Sequence, residues 1–91
     1  MKVSIGVSNR HIHLDYDTCV KLFGNSELTI VRELSQGGEF VSNRVVSIKT
    51  DKGRIDNVKV IGPLRNKTQV EIARSDAFKL GINPPVRMIG N

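Results

Sequence analysis

The chain has 91 residues, 14 Lys+Arg against 9 Asp+Glu for a formal net charge of +5, and 38% hydrophobic and 25% charged residues. That composition fits one small globular domain, and no apolar run approaches the roughly 20 residues that a membrane helix requires. The single cysteine, Cys19, excludes an internal disulfide framework and points to a reducing, cytoplasmic setting.

The opening MKVSIGV is too short for a signal peptide, and no small-residue cleavage site follows it. Lys2 to Ser8 alternates Val3, Ile5 and Val7 with Lys2, Ser4 and Gly6, the period of a half-buried strand. Asn9 and Arg10 lead into His11-Ile12-His13-Leu14, where strand alternation puts both histidines on one face and Ile12 and Leu14 on the other. Asp15 is a natural N-cap for a helix over Tyr16 to Phe23, with Cys19, Val20 and Phe23 on one face, Tyr16 near them, and Gly24-Asn25 as its close.

Glu27 to Val31 reads as a short strand, and Gln36-Gly37-Gly38 as a loop. Asn43 to Thr50 and Arg54 to Ile61 read as a β-hairpin turned by Asp51-Lys52-Gly53, with Gly53 free to take positive φ. Gly62-Pro63 ends the second strand. Thr68 to Ala73 is a further strand, with Val70 and Ile72 on one face and Gln69, Glu71 and Ala73 on the other. Ser75 can cap a short helix over Asp76 to Leu80 that Gly81 terminates, and Pro84-Pro85 opens an extended tail with a last strand around Val86 to Ile89. These elements predict a mainly β fold: a small β-barrel with short capping α-helices, occupying residues 1–91 as one domain.

Both histidines of the chain lie in one tripeptide. Histidine is a common nitrogen donor to zinc, and strand spacing aims the two rings at one point. Two ligands do not complete a site, and a lone His-x-His is more often a pair of solvated strand residues. Glu71, on the polar face of its strand, can supply a third ligand and leave one coordination position open, although a surface strand with ordinary ion pairs explains it as well. Arg65 follows a tight turn, where a guanidinium can grip phosphate through two N–H donors. Asn9 and Gln69 stand beside these groups as candidate substrate contacts. Cys19, on the apolar face of its helix, reads as a buried structural thiol. The basic residues are scattered from Arg32 to Arg87 with few aromatics among them, so neither nucleic acid nor membrane is an expected partner.

Taken together, Ser8-Asn9-Arg10-His11-Ile12-His13-Leu14, Leu34-Ser35-Gln36, Lys52-Gly53-Arg54-Ile55, Gly62-Pro63-Leu64-Arg65, Thr68-Gln69-Val70-Glu71-Ile72, Ser75 to Gly81 and Pro84-Pro85-Val86-Arg87 resemble, in order, the propanediol-utilisation type of phosphate acyltransferase, the phosphate propanoyltransferases. The resemblance covers essentially the whole chain. It implies a bacterial enzyme that moves a short, propanoyl-like acyl group between coenzyme A and phosphate. It also implies a pair of β-barrels with two zinc ions between them, His11, His13 and Glu71 matching ligands of one zinc and Arg65 a catalytic, phosphate-binding arginine.

Members of that family are about twice as long, and their second half brings another histidine motif, whereas no histidine follows His13 here. By resemblance the chain is an N-terminal half: a truncated product, a split enzyme or an engineered fragment, needing a second chain or a homo-oligomer to complete its site. The family's first strand tends to join the barrel of the second half, which Lys2 to Ser8 would then lack. Microcompartment-associated members carry an amphipathic N-terminal extension, which is not present before Met1. The competing reading is a non-catalytic zinc- or phosphate-binding or assembly domain of the same descent.

Overall fold

The computed structural model describes residues 3–7, 9–35 and 37–82, with Val3–Val7 as backbone. The elements run β1 (Val3–Val7), β2 (His11–His13), α1 (Tyr16–Phe23), β3 (Ile30–Glu33), β4 (Phe40–Lys49), β5 (Arg54–Gly62), β6 (Thr68–Ile72) and α2 (Arg74–Lys79). The proposed tail strand around Val86 to Ile89 lies outside the described residues.

The strands form one mixed sheet in the order β1-β6-β2-β5-β4-β3. β1 runs parallel to β6 and β2 parallel to β5, while β2/β6, β3/β4 and β4/β5 are antiparallel. The mainly β class holds, but the barrel does not form. Closure needs the two end strands to pair; here β1 and β3 stand at opposite ends of an open sheet, and helices cover one face instead. Nor is the first strand without a partner in this chain, since Val3–Val7 pairs in register with Thr68–Ile72.

The covered face is set by alternation. Ile12 and Leu14, Val58 and Val60, and Val70 and Ile72 point toward the helices and pack with Cys19 of α1, Ala77 of α2 and Leu80 at the end of α2. Ile55 and Val58, three positions apart, both reach this core because β5 is irregular between them: Asn57 takes a left-handed conformation at φ 59°.

α1 has the bounds that its sequence pattern predicts. Asp15 Oδ1 accepts from Thr18 N at 2.8 Å, and Gly24, at φ 80°, returns its N–H to Val20 O. Tyr16, however, is 60% exposed and stays out of the core. β3 begins at Ile30 rather than Glu27, because Leu28 packs against the core and Thr29 is tied to Asn43 through both its N–H and its carbonyl. Gly53 is not at positive φ. A Cβ there would lie 2.3 Å from the Lys79 carbonyl oxygen, so close approach to α2 is the reason for glycine. Ser75 is not the cap of α2 either. The helix starts at Arg74, and the Asp76 carboxylate accepts from Ala73 N at 3.3 Å. Arg10 also binds that carboxylate, through Nε at 3.1 Å and through Nη2, and donates to Asp56 O at 2.9 Å. This clamp pins the entry to β2, and the Arg10 hydrogen bond is the main reason the Asp76 carboxyl is held below its ordinary pKa.

Candidate functional site

The opposite face of the sheet carries the polar groups. β2 presents His11 and His13 at alternate positions, and antiparallel pairing with β6 sets Glu71 opposite His11 and Gln69 opposite His13. His11 Nε2 lies 3.0 Å and His13 Nε2 3.8 Å from the same atom, Glu71 Oε2. The two rings meet edge to face with centroids 5.0 Å apart. One donor atom from each of the three residues lies within 4.8 Å of the others, close enough to hold a metal ion. A tetrahedral zinc with bonds of about 2.0–2.1 Å separates its ligand atoms by about 3.3–3.4 Å, a spacing that the 3.0 and 3.8 Å pairs bracket.

Hydrogen bonding supports the fit. His11 Nδ1 lies 2.8 Å from Asn9 O. A carbonyl only accepts, so Nδ1 carries the proton and Nε2 of the neutral ring turns a lone pair toward a carboxylate oxygen. Two acceptors at 3.0 Å require positive charge between them, a proton or a metal cation. The His13 side chain is 4% exposed, and its Nδ1 is buried without a hydrogen-bond partner among the described residues. Burial, reinforced by the Arg65 charge, pushes the His13 pKa down. That favours the neutral imidazole, which is the ligating form.

Arg65 reaches the same place from the loop between β5 and β6. Its backbone N–H is anchored on Leu14 O at 2.8 Å, tying it to the residue after His13. Its Nη1 donates to Gln69 Oε1 at 2.8 Å and its Nη2 to Glu39 Oε2 at 2.5 Å. Arg65, Gln69 and Asn9 line one cleft of ≈ 670 Å³ with the two histidines and Glu71. Every sequence-predicted site residue is therefore brought together, with Asn9 contributing to His11 through its backbone carbonyl. Cys19 belongs to the core cluster instead, and burial pushes its thiol pKa up.

Glu39, Arg32 and Lys59 also line the cleft, and the sequence reading does not single them out. Strand alternation contained a signal for Lys59, which follows the inward Val58 and registers with His11. Glu39 stands in a loop just ahead of β4 and has no periodicity to reveal it. Arg32 and Lys59 have no ion pair among the described residues, so the cleft is electropositive around its two carboxylates.

An open, helix-backed sheet brings two histidines, a carboxylate and an arginine into one cleft, where the His11, His13 and Glu71 donors lie close enough to hold a metal ion. Residues 4–91 match the family described as phosphate propanoyltransferase. The phosphate propanoyltransferase of Thermotoga maritima is 51% identical over 90 residues, 98% of this chain and 43% of the relative. Those of Rhodopseudomonas palustris and Citrobacter freundii are 46% and 45% identical, over 98% of this chain and 40% and 42% of their own lengths. The chain belongs to the phosphate propanoyltransferase family, and it spans less than half the length of these relatives. Among the described residues no helix is long and apolar enough to cross a membrane.

Proposed function

We propose that the cleft is one half of a phosphate acyltransferase site, catalysing acyl-CoA + phosphate ⇌ acyl phosphate + CoA for short, propanoyl-like acyl groups. The observation that carries this reading is the convergence of His11 and His13 Nε2 on Glu71 Oε2 in the cleft that Arg65 lines, in a chain whose relatives bear a transferase name. His11, His13 and Glu71 would hold a zinc ion, which when bound supplies a Lewis acid for a thiolate, phosphoryl or carbonyl oxygen. Arg65 orients phosphate toward the thioester carbonyl through its free guanidinium donors. Gln69 and Asn9 hold Arg65 and His11 in place. Further protein, from a longer polypeptide or a second chain, completes the site.

Metal analysis after dialysis tests the first element. About one zinc per chain, lost in Glu71→Gln, supports it; less than about 0.2 per chain, with no thermal stabilisation on adding zinc, refutes it. A thiol-release assay with propanoyl-CoA and phosphate, with the family's second half added as a separate chain, tests the reaction. Zinc binding without turnover in that mixture would leave a binding or assembly domain.

A further inference from the structure

We propose that Glu39 is a positioning residue of the oxyanion site, holding the Arg65 guanidinium beside His11, His13 and Glu71 so that phosphate meets a fork already aimed. The inference rests on the reading of Arg65 as the phosphate-binding arginine.

The Arg65 side chain is long and 40% exposed. Left to itself it samples many rotamers, and a ligand would have to freeze them. Its main chain is fixed by the Leu14 carbonyl, but that leaves the guanidinium free to swing. Two side chains take up that freedom from different parts of the fold. Gln69 approaches from β6, two residues from Glu71 on the same face, and Glu39 from the approach to β4.

Glu39 is itself held. Its carbonyl accepts from Leu34 N at 2.9 Å across the β3–β4 connection, and its side chain is only 26% exposed. The contact therefore spans 26 positions of sequence between two backbone-anchored residues, unlike a chance surface pair of mobile side chains. A carboxylate makes a stronger, charge-assisted bond than a neutral acceptor. It occupies one end of the guanidinium and leaves other N–H donors for a ligand. It also offsets part of the positive charge that Arg32, Lys59 and Arg65 bring to the cleft.

The test uses the zinc-loaded chain, orthophosphate titrated by calorimetry, and 15N relaxation of the Arg65 Nε–H group. In Glu39→Ala, Arg65 Nε–H becomes mobile and phosphate affinity falls about three- to tenfold, the cost of ordering one long side chain. Zinc affinity changes by less than about twofold, because Glu39 touches none of the three donors. Glu39→Gln, which keeps an oxygen acceptor, recovers most of the order and affinity. A Glu39→Ala variant with Arg65 still rigid, or with phosphate bound equally or more tightly, overturns the proposal. If the unsubstituted protein binds no phosphate, the phosphate role of Arg65 fails, and the relaxation measurement still decides whether Glu39 holds the guanidinium.

Discussion

Leu14 joins the core to the site, and truncating it measures how far the one depends on the other. The residue follows His13, is fully buried at 0% exposure, and offers its carbonyl to Arg65 N. Leu14→Ala removes three carbons, and at about 0.8 kcal/mol per buried methylene the transfer loss is about 2.4 kcal/mol. A residual void of about 40 Å³ adds about 1 kcal/mol at about 24 cal/mol per Å³. The total, about 3–4 kcal/mol, is a large share of the about 5–14 kcal/mol expected for a domain of this size. It corresponds to a fall in Tm of about 15–30 °C. Leu22 on α1, 51% exposed, is the control, and Leu22→Ala should cost less than about 1 kcal/mol. Urea denaturation followed by circular dichroism reads both values, with unchanged m-values confirming a two-state comparison. The Leu14 carbonyl survives the substitution, so Arg65 keeps its backbone anchor in the folded variant. A Leu14→Ala loss below about 1 kcal/mol, or one no larger than that of Leu22→Ala, would refute the placement of β2 against the helix-covered core.

Two further predictions concern groups whose ionisation the fold controls. The Asp76 carboxyl is held below its ordinary value, chiefly by the Arg10 hydrogen bond. Its stabilising contribution is therefore complete above the unfolded-state pKa and is lost as pH falls through the lower native one. Asp76→Asn should melt below the unsubstituted protein at pH 7, and the gap should shrink as pH drops below about 4; a gap that is absent at neutral pH, or constant down to the acid transition, contradicts the clamp. Cys19 is fully buried with its thiol pKa raised by desolvation, so a thiol reagent at pH 7–8 should modify it only after urea unfolding. Rapid labelling of the folded protein would show that α1 does not seal the core.

The elements that sequence reading placed well are those governed by local rules. α1 is bounded by a side-chain cap at Asp15 and a left-handed glycine at Gly24, both legible over a few residues. The two-residue period placed Val70 and Ile72 inward and Glu71 outward on β6, and put both histidines of β2 on the opposite face from Ile12. Readings failed where a distant segment decided the outcome. Gly53 is explained by the Lys79 backbone, not by its own turn. The β3 boundary follows Leu28 into the core and Thr29 to Asn43. Barrel closure depends on whether β1 meets β3, and nothing within either strand specifies that.

The same division runs through the site. From its sequence alone, the chain commits His11 and His13 to one strand face, because alternation is a property of the backbone. The resemblance of its motifs, borne out by the family match over residues 4–91, commits it to a lineage. Tertiary structure alone decided that Glu71 lies opposite His11, because β2–β6 register is a long-range pairing. It also decided that a loop carboxylate, Glu39, meets Arg65 across 26 positions. Periodicity encodes which way a side chain points, whereas the packing of the whole sheet determines what it meets.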